Sequence, residues 1–116
     1  MARVLLVDDD PDGLDIRTML LEHEGHQVVV AADAVCARAR FGEGVPDCVI
    51  LDLRIPRAED GLSLIRDFRG AAPGVRIVIL AGCLADLDDR PENKLVDAVL
   101  AKPVHSERLM TAVVTE

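Results

Sequence analysis

Aromatic side chains are almost missing from this chain: its 116 residues include two phenylalanines, Phe41 and Phe68, and no tyrosine or tryptophan. Half of the residues are apolar all the same, so the core must be built from Val, Leu, Ile and Ala. That composition suits parallel strands buried between helices. Basic charge is scarce too. Thirteen Lys and Arg against 21 Asp and Glu give a formal charge of −8, which argues against a nucleic-acid or anionic-membrane surface, since each needs a basic patch. No apolar run approaches the roughly 20 residues of a membrane span, and Met1 leads straight into a strand pattern rather than a signal peptide. Cys36, Cys48 and Cys83 are odd in number, lack metal-ligand spacing and have apolar neighbours, so buried free thiols in a reducing cytoplasm are expected. Neither G-x-G-x-x-G nor a G-x-x-x-x-G-K loop occurs, which removes the nucleotide-binding folds that rely on them. At this length residues 1–116 are expected to form one domain.

What is present is regular. Short apolar runs at 4–7, 27–32, 48–53, 76–82 and 98–101 read as buried strands. Helical patterns lie between them: 12–24 with Gly25 as a stop, 33–41 with Asp33 as N-cap, 60–70 ending at Gly70, and 105–114 with Ser106 available as a cap. The segment 84–97 is the weak one, because Pro91 would interrupt a helix there, and a short, irregular or mobile helix is expected. Its acids, 86–92, read as a solvated face or as a docking surface. Strand alternating with helix predicts an α/β fold, a parallel sheet with right-handed crossovers.

In such a sheet, sites form at the carboxyl ends of the strands. Asp8, Asp9 and Asp10 follow the first strand, Asp52 closes the third, Ala81, Gly82 and Cys83 follow the fourth, and Lys102 follows the fifth. Asp10 before Pro11 is a helix N-cap in its own right. The other acids repel one another at one sheet edge, a cost that falls sharply if a divalent cation sits among them. Dense oxygen ligands suit Mg²⁺ or Mn²⁺. A Lys beyond the metal is the arrangement that grips a phosphoryl group.

"LLVDDD", then "VILDLRIP" with "EDG" soon after, then "AKP" together resemble the response-regulator receiver domain of two-component signalling, over essentially the whole chain. The resemblance implies a flavodoxin-like, doubly wound five-stranded parallel sheet of order 2-1-3-4-5 with helices on both faces. It implies that Asp52 is the phosphoacceptor, attacking a phosphohistidine on a sensor histidine kinase or phosphotransfer protein. Asp8, Asp9, Asp52 and the backbone carbonyl of Arg54 would hold Mg²⁺ (or Mn²⁺), with Asp8 acting partly through water. Lys102, before a peptide bond to Pro103 that is often cis in the family, would pair with the phosphoryl oxygens. The domain would be a cytoplasmic signalling phosphoacceptor that speeds its own phosphorylation and dephosphorylation, rather than a conventional enzyme. It would pass the signal to an effector protein or a fused output domain, with homodimers among its possible assemblies.

The chain departs from that family at the switch. Ala81 stands where receivers usually carry Thr or Ser, and Val99 stands where an aromatic residue usually reports phosphorylation. The spacing from Asp52 to the "DG" at 60–61 is one residue longer than usual. A phosphoacceptor with a weakened switch is the leading expectation. The alternatives are a pseudo-receiver that binds a partner without phosphorylation and a small phosphotransferase or phosphatase with an Asp nucleophile; the chain lacks room for the capping domain the last would need.

Overall fold

The computed structural model describes residues 2–114. Met1, Thr115 and Glu116 lie outside the described residues, and with them both ends of the expected 1–116 unit and the Met1 start on which the signal-peptide reading rested. Five strands, β1 (Arg3–Val7), β2 (Gln27–Ala31), β3 (Cys48–Asp52), β4 (Arg76–Ala81) and β5 (Ala98–Ala101), form one parallel sheet in the order β2-β1-β3-β4-β5. This is the expected doubly wound arrangement. Between the strands run α1 (Pro11–His23), α2 (Ala34–Glu43), α3 (Ala58–Ala71) and, after β5, α4 (Ser106–Val114).

Side chains alternate across the strands and so build two cores. Leu5, Val7, Val49, Leu51, Ile77 and Ile79 face α2 and α3, while Val4, Leu6, Ile50, Val78 and Leu80 face α1 and α4. The two aromatic residues meet in the first core: Phe41 of α2 stacks on Phe68 of α3 with ring centroids 4.3 Å apart. Because β1, β3 and β4 are covered on both sides, their sequences are continuous apolar runs rather than alternating ones. Among the described residues, no helix is long and apolar enough to cross a membrane.

Local signals place several helix ends and miss others: α2 runs on to Glu43, α3 begins at Ala58 rather than 60, and Ser106 is the first residue of α4 rather than its cap. Asp10 accepts the Asp12 N–H at 3.2 Å ahead of Pro11, and Asp33 accepts the Cys36 N–H at 2.7 Å, so both acids satisfy backbone donors that a helix start leaves free. After α1, Gly25 takes φ 89° while its N–H reaches Glu22 O and the His26 N–H reaches Leu21 O, the paired bonds of a Schellman turn. Gly70 does not stop α3, which continues to Ala71 and closes with the Ala72 N–H on Phe68 O.

Residues 84–97 form no α-helix but two short 3₁₀ turns, Leu84–Asp86 and Pro91–Leu95. Charge holds them in place. Arg54 binds Asp86, Arg66 binds Glu92, Arg69 binds Asp97, and Arg90 binds Glu59, so the segment is tied to α3 and to the loop before it. The solvated-face expectation therefore fails for Glu92, which is buried, and for Asp86, which is engaged by a guanidinium. The thiol expectation holds only for Cys48, whose pKa burial pushes up to about 12. Cys36 is half-buried, and Cys83 is exposed because the chain leaves the sheet just before it.

Candidate functional site

Parallel register assembles the acids. β1 and β3 are neighbours with Val7 opposite Leu51, so the next residue on each, Asp8 and Asp52, come to the same edge. Both are nearly covered, with 2% and 7% of their surface exposed. Asp9 points outward and, among the described residues, has no hydrogen bond or ion pair. Asp8, Asp9 and Asp52 each offer a carboxylate oxygen within 4.8 Å of the others, a donor set that fits a hard divalent cation. Asp10 belongs to the helix start, as its cap bond requires.

Lys102 arrives from two strands away. Its N–H donates to Ala81 O at 2.9 Å, which pins it to the end of β4. Its Nζ then lies 2.6 Å from Asp52 Oδ2. The bond from Lys102 to Pro103 is cis, as is that from Ile55 to Pro56. Burial raises the pKa of Asp52 most strongly, the hydrogen bond and charge of Lys102 pull it down, and Asp8 pushes it up again; the net direction is upward. An acid between apolar neighbours is thus kept near a cation that favours its ionised form.

Three features were not visible in the sequence. Arg17 of α1 places Nη1 2.5 Å from Asp8 Oδ2. The Arg54 side chain forms a two-pronged pair with Asp86, at 2.6 and 2.9 Å, and this holds the Asp86 carboxyl below its ordinary range. Gly61 of α3 packs against the chain just after Asp52: a Cβ there would lie 2.1 Å from Leu53 O. The "DG" had marked Gly61, though not the contact that demands it. For Arg17 the one available cue was Gly13 four residues earlier, a gap on the same helix face. Together Asp8, Asp9, Asp10, Arg17, Asp52, Leu53, Arg54, Gly82, Asp86 and Lys102 line an open cavity of about 320 Å³.

The switch positions are placed as well. Ala81 is buried at the end of β4 and brings only a methyl group. Val99 packs partly buried against the core shared with α3.

Residues 4–114 match the family model of the response regulator receiver domain. The chain belongs to the response-regulator receiver family. This receiver is 36% identical over 112 residues to the virulence transcriptional regulatory protein PhoP of Salmonella typhimurium, covering 95% of this chain and 49% of that protein. It is 29% identical over 116 residues to the DNA-binding dual master transcriptional regulator RpaA of Synechocystis, covering 97% and 48%. The receiver thus spans about half the length of these curated relatives. Among solved structures, a receiver domain protein from Clostridium thermocellum superposes with TM-score 0.87 at 26% identity, covering 97% of this chain and 91% of that one. The response regulator TrrA from Thermotoga maritima, in complex with Mg²⁺ and BeF, gives TM-score 0.87 at 26% identity, covering 97% and 96%.

Proposed function

We propose that this receiver accepts a phosphoryl group on Asp52 from a phosphohistidine of a sensor histidine kinase or phosphotransfer protein, in a Mg²⁺-dependent reaction, and relays the event to an effector or output domain. The observation that carries this reading is the Asp52 carboxylate itself, buried at a strand end with Lys102 Nζ at 2.6 Å and Asp8 and Asp9 beside it. A structural acid would not need two further carboxylates within 4.8 Å. Asp8, Asp9, Asp52 and the Arg54 carbonyl are the groups that would hold the cation, which when bound neutralises charge as the phosphoryl group arrives.

The chain's own residues do the rest. Asp52 supplies an oxygen whose lone pair forms the new O–P bond, the P–N bond breaks with its electrons left on the imidazole nitrogen, and that nitrogen takes up a proton. Lys102, now freed from a carboxylate oxygen, neutralises the transferred group. Domains of this kind are phosphoacceptors that catalyse their own modification and not enzymes acting on a separate substrate. Burial favours the neutral acid, and the hydrogen bond and charge of Lys102 oppose that by favouring the ionised nucleophile.

A second reading has its own support. Ala81 has no hydroxyl to follow the phosphoryl group and Val99 no ring to turn inward, which favours a pseudo-receiver that docks a partner without phosphorylation. One experiment separates the two: intact mass after incubation with Mg²⁺ and acetyl phosphate, for the parent and for Asp52→Asn. A phosphate adduct on the parent alone supports the phosphoacceptor; no adduct on the parent, under conditions that label an ordinary receiver, sinks it.

A further inference from the structure

Asp8 is the most enclosed carboxylate of the cluster, and both of its oxygens are already taken. Oδ1 accepts the Asp10 N–H at 3.0 Å. Oδ2 accepts Nη1 of Arg17 at 2.5 Å, with the Asp8 side chain 3% exposed and that of Arg17 18% exposed. The guanidinium reaches this oxygen across Gly13, where a Cβ would stand 3.0 Å from both Arg17 Nη1 and Asp8 Oδ2 and 3.4 Å from Asp10 Oδ2. A larger residue at 13 would crowd the pair. Lys102 holds Asp52 in the same way. The three clustered acids therefore face two cations supplied by the chain, and only Asp9 is left without one among the described residues.

We propose that Arg17 is a built-in counter-ion of the acid cluster, occupying Asp8 Oδ2 in the metal-free domain and competing with the divalent cation for it. Arg17 thereby sets the cation concentration at which the site fills. The inference rests on the reading that Asp8, Asp9 and Asp52 hold a divalent cation. The competition follows from charge and space. A buried carboxylate must be compensated, and a guanidinium hydrogen-bonded to one of its oxygens supplies that compensation without metal. A divalent cation entering beside Asp8 meets a positive charge already seated there, so binding carries the cost of moving the guanidinium aside or the repulsion of leaving it. The same contact steadies the metal-free fold, since without it the buried Asp8 carboxylate would keep the Asp10 N–H as its one hydrogen-bond donor among the described residues. Lys102 differs because it pairs with the carboxylate that receives the phosphoryl group, whereas Arg17 pairs with one that does not.

The test measures cation binding directly, with Mg²⁺ itself, by calorimetric titration of the parent, Arg17→Met, Arg17→Lys and Asp9→Asn, each with its melting temperature in EDTA and in saturating Mg²⁺. Methionine keeps most of the apolar stem and removes the charge. Arg17→Met should bind Mg²⁺ about tenfold more tightly than the parent, melt lower in EDTA, and show a larger rise in melting temperature on adding Mg²⁺. Arg17→Lys should stay close to the parent in affinity. Binding by Arg17→Met where the parent binds too weakly to measure would support the proposal further. If the parent binds Mg²⁺, Asp9→Asn does not, and Arg17→Met binds no more tightly than the parent, the counter-ion role is refuted while the cation site stands. If neither the parent nor Arg17→Met binds, the cation site falls and the proposal falls with it. The melting data keep the test decisive should Arg17→Met be unstable without metal, because the Mg²⁺-induced shift is read on the same protein.

Discussion

Replacing Gly61 with Ala tests how the sheet edge and α3 are joined. In an open helix position the change should stabilise the protein, by about 1 kcal/mol, because Gly is the poorer helix former. Here the added Cβ would lie 2.1 Å from Leu53 O, 2.8 Å from Leu53 C and 2.9 Å from Leu53 Cα. Nonbonded carbons sit comfortably at about 3.5 Å or more. Relief therefore requires α3 or the end of β3 to move by about 1 Å, and the obstacle is backbone, which cannot swing away as a side chain does. Overpacking of this kind costs about 1 to 3 kcal/mol, and the rigid obstacle puts Gly61 at or above the upper end. After the helix-propensity gain is subtracted, the net loss is about 2 kcal/mol. For a domain of this size that lowers the melting temperature by about 8 °C. Gly70 is the internal control, since it lies in the same helix and a Cβ there meets nothing within 4 Å. Thermal and urea unfolding should show Gly61→Ala falling and Gly70→Ala rising. A Gly61→Ala protein as stable as the parent would refute the close approach of α3 to Leu53.

Two further perturbations probe the charges. Burial raises the pKa of Asp52 in spite of Lys102, so the folded state binds its proton more tightly than the unfolded chain; this carboxyl costs no stability below its ordinary 3.8 and costs progressively more as pH rises through its folded value. In EDTA, Asp52→Asn should accordingly be more stable than the parent at neutral pH, with a margin that shrinks on acidification in a urea series. A variant less stable at every pH would overturn that sign. Glu92 titrates the other way: its own backbone N–H first, then Arg66, hold its pKa below the ordinary 4.5, so its contribution is present above that value and is lost as pH falls below it. Arg66→Ala should destabilise the parent by about 1 kcal/mol at pH 7, a modest figure because the Arg66 side chain is half exposed, with the difference vanishing at low pH. A difference independent of pH would place the loss in packing instead.

Much of this receiver was legible in the sequence, and for local reasons. A strand covered on both faces must be apolar throughout, so β1, β3 and β4 announced themselves, and a charged residue at the end of such a run stands out against it. That is why Asp8, Asp9, Asp52 and Lys102 could be named from their positions after strands, and why Asp10 could be assigned to the helix it caps. The absence of a hydroxyl at Ala81 and of a ring at Val99 could be read directly, because each is a matter of residue identity. Composition alone made the core almost wholly aliphatic, and the aromatic contact inside it, Phe41 on Phe68, is the only one its two rings could make.

Tertiary structure decided the rest, and the physical reason is reach. Arg17, Arg54 and Arg66 carry long flexible side chains whose partners lie 9, 32 and 26 residues away, and no spacing rule links residues that meet only after the sheet has formed. For that reason the acids at 86–92 looked solvated when Asp86 and Glu92 are held by guanidinium groups, and a segment without helix signals is nonetheless fixed in place. Steric exclusion is equally nonlocal: only the packing of α3 on Leu53 shows that Gly61 has no room for a methyl group. The sequence by itself determined which charges stand at the sheet edge; the packed chain determined which cation each one faces.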